Sequence, residues 1–131
     1  MLDRAHRRAL RGLSMIFWRE NNREARGLRL LRNWLTPEQR AQFDVDRYFD
    51  VIGCNSGKRY RIHYGANSNV VEIDTAGYPK VGRCFVPVGQ LVAGDIMLAQ
   101  KIALETNESG ALAVANGFRP KNSSPTLCVP W

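Results

Sequence analysis

A group of arginines near the start of the chain is the set of side chains best suited to binding a ligand. They are Arg4, Arg7, Arg8, Arg11 and Arg19. At about 100° of rotation per residue, they fall on one side of a helix predicted for residues 2–19. Guanidinium groups match phosphate geometry, so a row of them without an interleaved carboxylate favours an anionic partner. Nucleic acid is the first expectation, ahead of an acidic protein surface or acidic lipid.

The opposite side of the same predicted helix is apolar. The residues expected to contact a protein partner there are Leu10, Leu13, Ile16, Phe17 and Trp18. Two other interpretations therefore stay open. In one, this side packs on the core and the arginines are merely solvated. In the other, it packs on a protein partner or on a second copy of the chain, and the protein has a structural or assembly role.

The positive charge is concentrated in the same region. The chain has 131 residues and a formal net charge of +7. Residues 1–40 contain ten Arg and four acidic residues, a net of +6, whereas residues 41–131 contain nine basic and eight acidic residues, a net of +1. Contact with nucleic acid is therefore expected from the N-terminal region, through phosphates and without reading base sequence.

A different chemistry would need a cysteine nucleophile and a histidine base. The candidates are Cys54, Cys84 and His63, but no local signature of a cysteine enzyme accompanies them. With His6 and His63 as the two histidines, the sequence also contains no zinc-ligand cluster. We therefore predict a protein that is not an enzyme and that uses no metal or cofactor.

The segment Gly53–Lys58 invites comparison with a phosphate-binding loop. It is one residue shorter than that motif, Lys58 is followed by Arg59 rather than Ser or Thr, and a strand is predicted next. The backbone amides and helix N-terminus that cradle phosphate are therefore not expected here.

The cysteine count bears on the compartment. Three cysteines at wide spacings argue against a disulfide framework and favour a reducing, cytoplasmic location. The longest apolar run near the start, Met15–Trp18, is too short for a signal-peptide core or a membrane span. No transmembrane segment is expected.

The elements that must position these residues are organised around a β-meander. Runs of β-branched and aromatic residues alternate with polar ones, and turn-forming residues separate the runs. Strands are predicted at 48–52, 58–64, 69–74 and, less regularly because Gly82 interrupts it, at 80–86.

Simple hairpin closure gives this meander an apolar face and a charge-paired face. The predicted rows are Phe49–Ile62–Val71 and Val51–Tyr60–Ile73 on the apolar face, with Asp50–Arg61–Glu72 and Arg59–Asp74 on the charged face.

Helices are predicted on both sides of the meander in sequence. Residues 23–35 have a helical pattern with Trp34 or Leu35 directed inward, and Thr36, Pro37 and Gln39 form the start signal of the next helix. A long helix is predicted from Asp95 to about residue 116, although Gly110 could divide it in two.

These elements predict an α+β fold. We expect N-terminal helices, an antiparallel meander of three to four strands, and a long C-terminal helix packed on the sheet. The expected organisation is a basic helical region at 1–40, a compact α+β core at 41–117 and an extended tail at 118–131, within one domain overall.

Several segments have a familiar pattern. They are Leu35–Arg40, Tyr48–Val51, Gly57–Ile62, Asn69–Val70 and Asp95–Lys101. Together they resemble short, uncharacterised bacterial proteins with no assigned function. The resemblance covers about residues 35–117 and implies a bacterial or mobile-element setting, but it brings no activity and no site residues.

Overall fold

The computed structural model describes residues 22–85 and 91–120. Within these ranges, four helices accompany a five-stranded antiparallel sheet, so the predicted α+β class is confirmed. The helices are α1 (22–34), α2 (Pro37–Asp46), α3 (Ala93–Thr106) and α4 (Glu108–Val114). The strands are β1 (Tyr48–Ile52), β2 (Arg59–His63), β3 (Val70–Ile73), β4 (Pro79–Cys84) and β5 (Asn116–Phe118).

The strands lie in the sheet in chain order, from β1 to β5. The sequence did not predict β5, because three residues containing a glycine give no alternating pattern. Its Phe118 ring lies against Gly82 of β4, where a Cβ atom would overlap the ring. Gly82, which makes β4 look irregular in sequence, therefore leaves the space that the Phe118 ring occupies.

The start of α2 follows the predicted capping box. The Thr36 hydroxyl accepts a hydrogen bond from the Gln39 backbone N–H at 3.2 Å, and the Gln39 side chain accepts one from the Thr36 N–H at 3.0 Å. Pro37 occupies the first turn, where its missing N–H costs nothing. Phe43 then anchors the helix in the core at 2% exposure.

The β1–β2 hairpin has the predicted register. Phe49 pairs with Ile62, and Asp50 pairs with Arg61. The Asp50 carboxylate accepts two hydrogen bonds from the Arg61 guanidinium, at 2.9 and 3.1 Å. Complementary charges across the two strands therefore support the same alignment as the apolar pattern.

The β2–β3 register differs by one residue from the prediction. Ile62 pairs with Val70 rather than Val71, and Arg61 pairs with Val71 rather than Glu72. The predicted neighbours Arg61–Glu72 and Arg59–Asp74 are therefore wrong, as is the predicted row ending in Ile73. A one-residue slip reverses the faces of a strand, so Val71 and Ile73 lie on the opposite side of the sheet.

A buried amide pair accounts for this register. Asn69 is 4% exposed, and its side chain exchanges two hydrogen bonds with Gln100 of α3, at 2.8 and 3.0 Å. Its backbone carbonyl accepts from the His63 N–H at 2.7 Å. Asn69 is thus held opposite His63, and Val70 follows opposite Ile62. A prediction that considers only the two strands of a hairpin cannot include Gln100, which lies on α3.

Two apolar clusters result, one on each side of the sheet. The main core joins residues of β1, β2 and β3 to all four helices; it includes Leu31, Phe43, Phe49, Tyr60, Met97, Leu104 and Ala111. Val71 and Ile73 belong to a smaller cluster with Cys84 and Phe118 on the other face. Val71 and Ile73 are therefore kept out of water by packing with Cys84 and Phe118.

The long C-terminal helix of the prediction is divided in two. Asn107 leaves the helical conformation, with φ −152° and ψ 61°, and its side chain accepts a hydrogen bond from the Gly110 N–H at 3.3 Å. It therefore caps a new helix, α4. The division expected near Gly110 as the alternative is close to the observed position. Asn116, predicted to end the long helix, instead begins β5.

The cysteines also differ from the prediction. Cys54 is free and exposed, whereas Cys84 is disulfide-bonded. An odd count allows one bridge beside a free thiol, so the cysteine count gives no support for a reducing compartment. Among the helices that the structure describes, none is long and apolar enough to cross a membrane.

Candidate nucleic-acid interface

The residues predicted to bind nucleic acid or a protein partner lie outside the described residues. This applies to Arg4, Arg7, Arg8, Arg11 and Arg19, and to Leu10, Leu13, Ile16, Phe17 and Trp18. Helix α1 is the described part of the basic N-terminal region, and it carries arginines that the sequence prediction did not single out as a site.

Helix α1 is held against the domain along one face. Leu31 is completely buried at the end of this face, and Leu35 follows it into the core. Near its other end, Gly27 approaches Gly94 of α3 so closely that a Cβ atom on Gly94 would overlap the Gly27 backbone. Two glycines thus allow a backbone-to-backbone crossing that sets the position of α1.

The outward face of α1 carries three exposed arginines, Arg23, Arg26 and Arg29. None of them forms an ion pair with a residue in the described ranges, and no carboxylate lies between Glu24 and Glu38. Arg32, on the flank of the helix, behaves differently: its guanidinium contacts the Asp44 carboxylate of α2 at 2.8 Å. The α1 arginine face, defined as Arg23, Arg26 and Arg29, is a cationic surface whose guanidinium groups form no ion pair with the described carboxylates.

Basic side chains elsewhere in the described chain are mostly matched or isolated. The matched pairs are Arg61–Asp50 at 2.9 Å, Arg59–Asp50 at 3.7 Å, Lys58–Glu72 at 3.4 Å, Arg83–Glu72 at 3.8 Å and Lys101–Glu105 at 2.6 Å. Arg47 lies over the Tyr64 ring at 4.6 Å. Lys80 and Arg119 are exposed but single. The α1 arginine face therefore differs from these sites in having several unmatched cations together.

A second polar centre lies at the loop between β1 and β2. The Glu108 carboxylate is 2% exposed and accepts four hydrogen bonds from this loop and from β2. The donors are the Asn55 N–H at 2.9 Å, the Ser56 N–H at 2.8 Å, the Ser56 hydroxyl at 2.5 Å and the Tyr60 hydroxyl at 2.6 Å. Gly53 makes room for it, since a Cβ there would overlap the carboxylate.

This arrangement corrects the interpretation of Gly53–Lys58. No amides that hold an anion are predicted there from the motif, yet two consecutive backbone N–H groups, of Asn55 and Ser56, point at an anion. The anion is the chain's own Glu108 carboxylate. The loop is therefore an anion-binding nest of backbone N–H groups, and its ligand is the Glu108 carboxylate at the start of α4. This contact attaches α4 to the sheet and prevents a phosphate from binding the same amides.

The protonation of Glu108 follows from these contacts. Burial by itself raises the pKa of the carboxyl group, but the hydrogen bonds from Ser56, Tyr60 and the loop amides outweigh it and hold the pKa at about 2. Burial and the hydrogen bond to Glu108 also raise the pKa of Tyr60. A carboxylate this acidic and fully hydrogen-bonded is a poor general base, so the centre is structural.

The candidate cysteine–histidine pair is not brought together. Cys54 precedes β2, His63 ends it, and five strand residues span about 15 Å. Cys84 is disulfide-bonded and has no thiolate to offer. His63 packs edge-on against the Tyr48 ring at 5.2 Å. The described ranges contain no group of three metal-ligating side chains.

A cleft of about 490 Å³ opens between the β1–β2 loop and the β3–β4 turn. Lys58, Arg59 and Lys80 line it together with Glu72 and Asp74. Both signs of charge are present in nearly equal number, so its field favours an anion less than the α1 arginine face does.

No model of a known protein family, no curated protein and no solved structure matches this chain.

Proposed function

We propose that this protein binds nucleic acid through its basic N-terminal helical region, by phosphate contacts that do not depend on base sequence. The observation that carries the proposal is the α1 arginine face: three exposed guanidinium groups that no described carboxylate neutralises. The arginines predicted to bind in residues 1–21 belong to the same proposal.

The spacing of these arginines suits a phosphate backbone. Arg23, Arg26 and Arg29 follow one another at three-residue intervals, a rise of about 4.5 Å per step along the helix. Each guanidinium presents several donors in a planar fork and stays charged at any pH of interest. Fixed cations at this density neutralise phosphates and release their counterions, which favours binding at low salt.

The test is fluorescence anisotropy of labelled duplex DNA and single-stranded RNA with the full chain over a salt series. We compare the wild type with the triple variant Arg23→Gln, Arg26→Gln and Arg29→Gln. A matched triple variant, Lys58→Gln, Lys80→Gln and Arg119→Gln, removes the same charge from other surfaces.

We expect the α1 variant to lose about tenfold or more in affinity near 0.1 M salt and to reduce the slope of log affinity against log salt by about two to three. The matched variant should change both much less. Equal losses in the two variants would mean that net charge, not the α1 face, drives binding. No binding by the wild type at low salt would overturn the proposal.

The alternative assembly role makes a different demand on the same region. If the chain associates through the apolar side of residues 10–18, Leu13→Asp disperses an oligomer while the arginine variants leave it intact. Sedimentation velocity on the same proteins separates the two hypotheses, because nucleic-acid binding requires no change in oligomeric state.

A further inference from the structure

Helix α1 ends in an exposed tryptophan. Trp34 is 60% exposed, although the residues on either side of this turn, Leu31 and Leu35, are buried. The inward face of the helix is already filled by Leu31, and the indole lies at the border of that face, about 60° around the helix from Leu31. A single exposed aromatic ring is common, so its position relative to other side chains decides what it can bind.

The position of Trp34 relates it to the arginine face. At about 100° per residue, Arg23, Arg26, Leu30 and Trp34 fall within a sector of about 80° of α1, whereas Arg29 lies about 60° beyond Arg26 and about 140° from Trp34. Trp34 lies about 12 Å beyond Arg26 along the axis. The indole is thus aligned with Arg23 and Arg26, at the end where the chain turns into α2.

A row of cations that ends in an exposed indole matches single-stranded nucleic acid. The arginines can follow the phosphates, while an unpaired base stacks on the indole, as in proteins that bind single strands without sequence preference. A duplex keeps its bases stacked inside the helix, so it can contact the arginines through its phosphates but cannot stack on the indole. Stacking is also tolerant of base identity, because every base has a π face.

From this alignment we propose that the ligand of the α1 face is single-stranded nucleic acid, with Trp34 stacking on an unpaired base. The inference rests on the proposed phosphate-binding function and adds the class of strand to it.

The experiment measures binding of a labelled 12-nucleotide oligothymidine and of a labelled 12-base-pair duplex to the full chain. The variants are Trp34→Leu, Trp34→Phe and Tyr78→Leu. Tyr78 is the matched control, since it is 69% exposed and lies on the β3–β4 turn, away from α1. Circular dichroism confirms that each variant folds.

We expect Trp34→Leu to weaken single-strand binding by about 5- to 100-fold and to leave duplex binding within about twofold of wild type. Trp34→Phe should retain most of the affinity because a ring remains, and Tyr78→Leu should have no effect. Binding of oligothymidine should also quench indole fluorescence in the wild type more than in Trp34→Phe.

Three results would overturn the inference. If Trp34→Leu changes neither affinity, or both equally, stacking is absent while the phosphate-binding proposal survives. If the wild type binds neither probe, both proposals fail. If Trp34→Leu instead dissociates an oligomer in sedimentation velocity and leaves oligothymidine binding unchanged, Trp34 belongs to a protein–protein contact.

Discussion

Glu108 and the arginines of α1 carry charges that the fold treats in opposite ways. The Glu108 carboxylate is buried at 2% exposure, and four donors from its own chain surround it. Arg23, Arg26 and Arg29 are exposed and form no ion pair with a described carboxylate. A charge that the chain satisfies by itself stabilises the architecture. A charge without an ion pair in the chain is available to a partner. Substitutions at Glu108 should therefore reduce stability, whereas substitutions at the α1 arginines should reduce binding.

The largest effect is expected from Glu108→Gln. The carboxyl group has a pKa of about 2 in place of 4.5, so its charged form is favoured in the folded state by about 3 kcal/mol. The amide of glutamine would also place its own N–H groups among the hydrogen-bond donors of the loop. Urea denaturation should show a loss of about 3 kcal/mol in the free energy of unfolding. The exposed Glu38→Gln is the control and should stay within about 0.5 kcal/mol of wild type. Similar losses in both variants would contradict the internal-nest interpretation.

The same carboxylate predicts how acid affects stability. Its pKa is lower in the folded chain, about 2, than in the unfolded chain, 4.5, so the unfolded state takes up the proton first. The contribution of Glu108 is therefore complete above pH 4.5 and is lost as the pH falls toward 2. Denaturation curves of wild type and Glu108→Gln should converge over this range, while Asp50, whose pKa is also lowered by its Arg61 and Gln42 hydrogen bonds despite burial, weakens both proteins alike. A difference at pH 2 as large as the one above pH 4.5 would refute the assignment.

The smallest effect on stability is expected at the α1 arginine face. The triple variant with Gln at 23, 26 and 29 should change the free energy of unfolding by less than about 0.5 kcal/mol per site, because no described residue depends on these guanidinium groups. Urea denaturation of the same preparation used for the anisotropy assay checks this. A large loss of stability would show that these arginines, like Glu108, stabilise the fold, and the main argument for a partner would be lost.

Local signals in the sequence predicted the parts of the fold that local contacts determine. The capping box at Thr36 and the β1–β2 register both depend on neighbours within one turn or one hairpin, and both are confirmed. The inward choice between Trp34 and Leu35 is resolved in favour of Leu35. In each case the relevant partner is close in sequence, so pattern and propensity contain the information.

The parts that were missed depend on distant partners. The β3 register is set by Gln100, and the role of Gly53–Lys58 is set by Glu108, a residue whose segment looked only like a helix break. An acidic residue directly after the cap Asn107 is a common helix-start pattern, so its sequence gives no hint that it enters a loop more than fifty residues earlier. The α1 arginines could have been found from sequence, since Arg23, Arg26 and Arg29 repeat at three-residue spacing.

The Asn69–Gln100 pair has a consequence for the order of folding. Hairpins joined by short loops form within microseconds, before a contact across 31 residues is made. Either of two β3 registers, one residue apart, places an apolar side chain of Val70–Ile73 on each face, so the apolar pattern of β3 does not by itself fix the register. Docking of α3 selects one of them through a single amide pair. We therefore expect the final register of β3 to be reached only when α3 docks on the sheet.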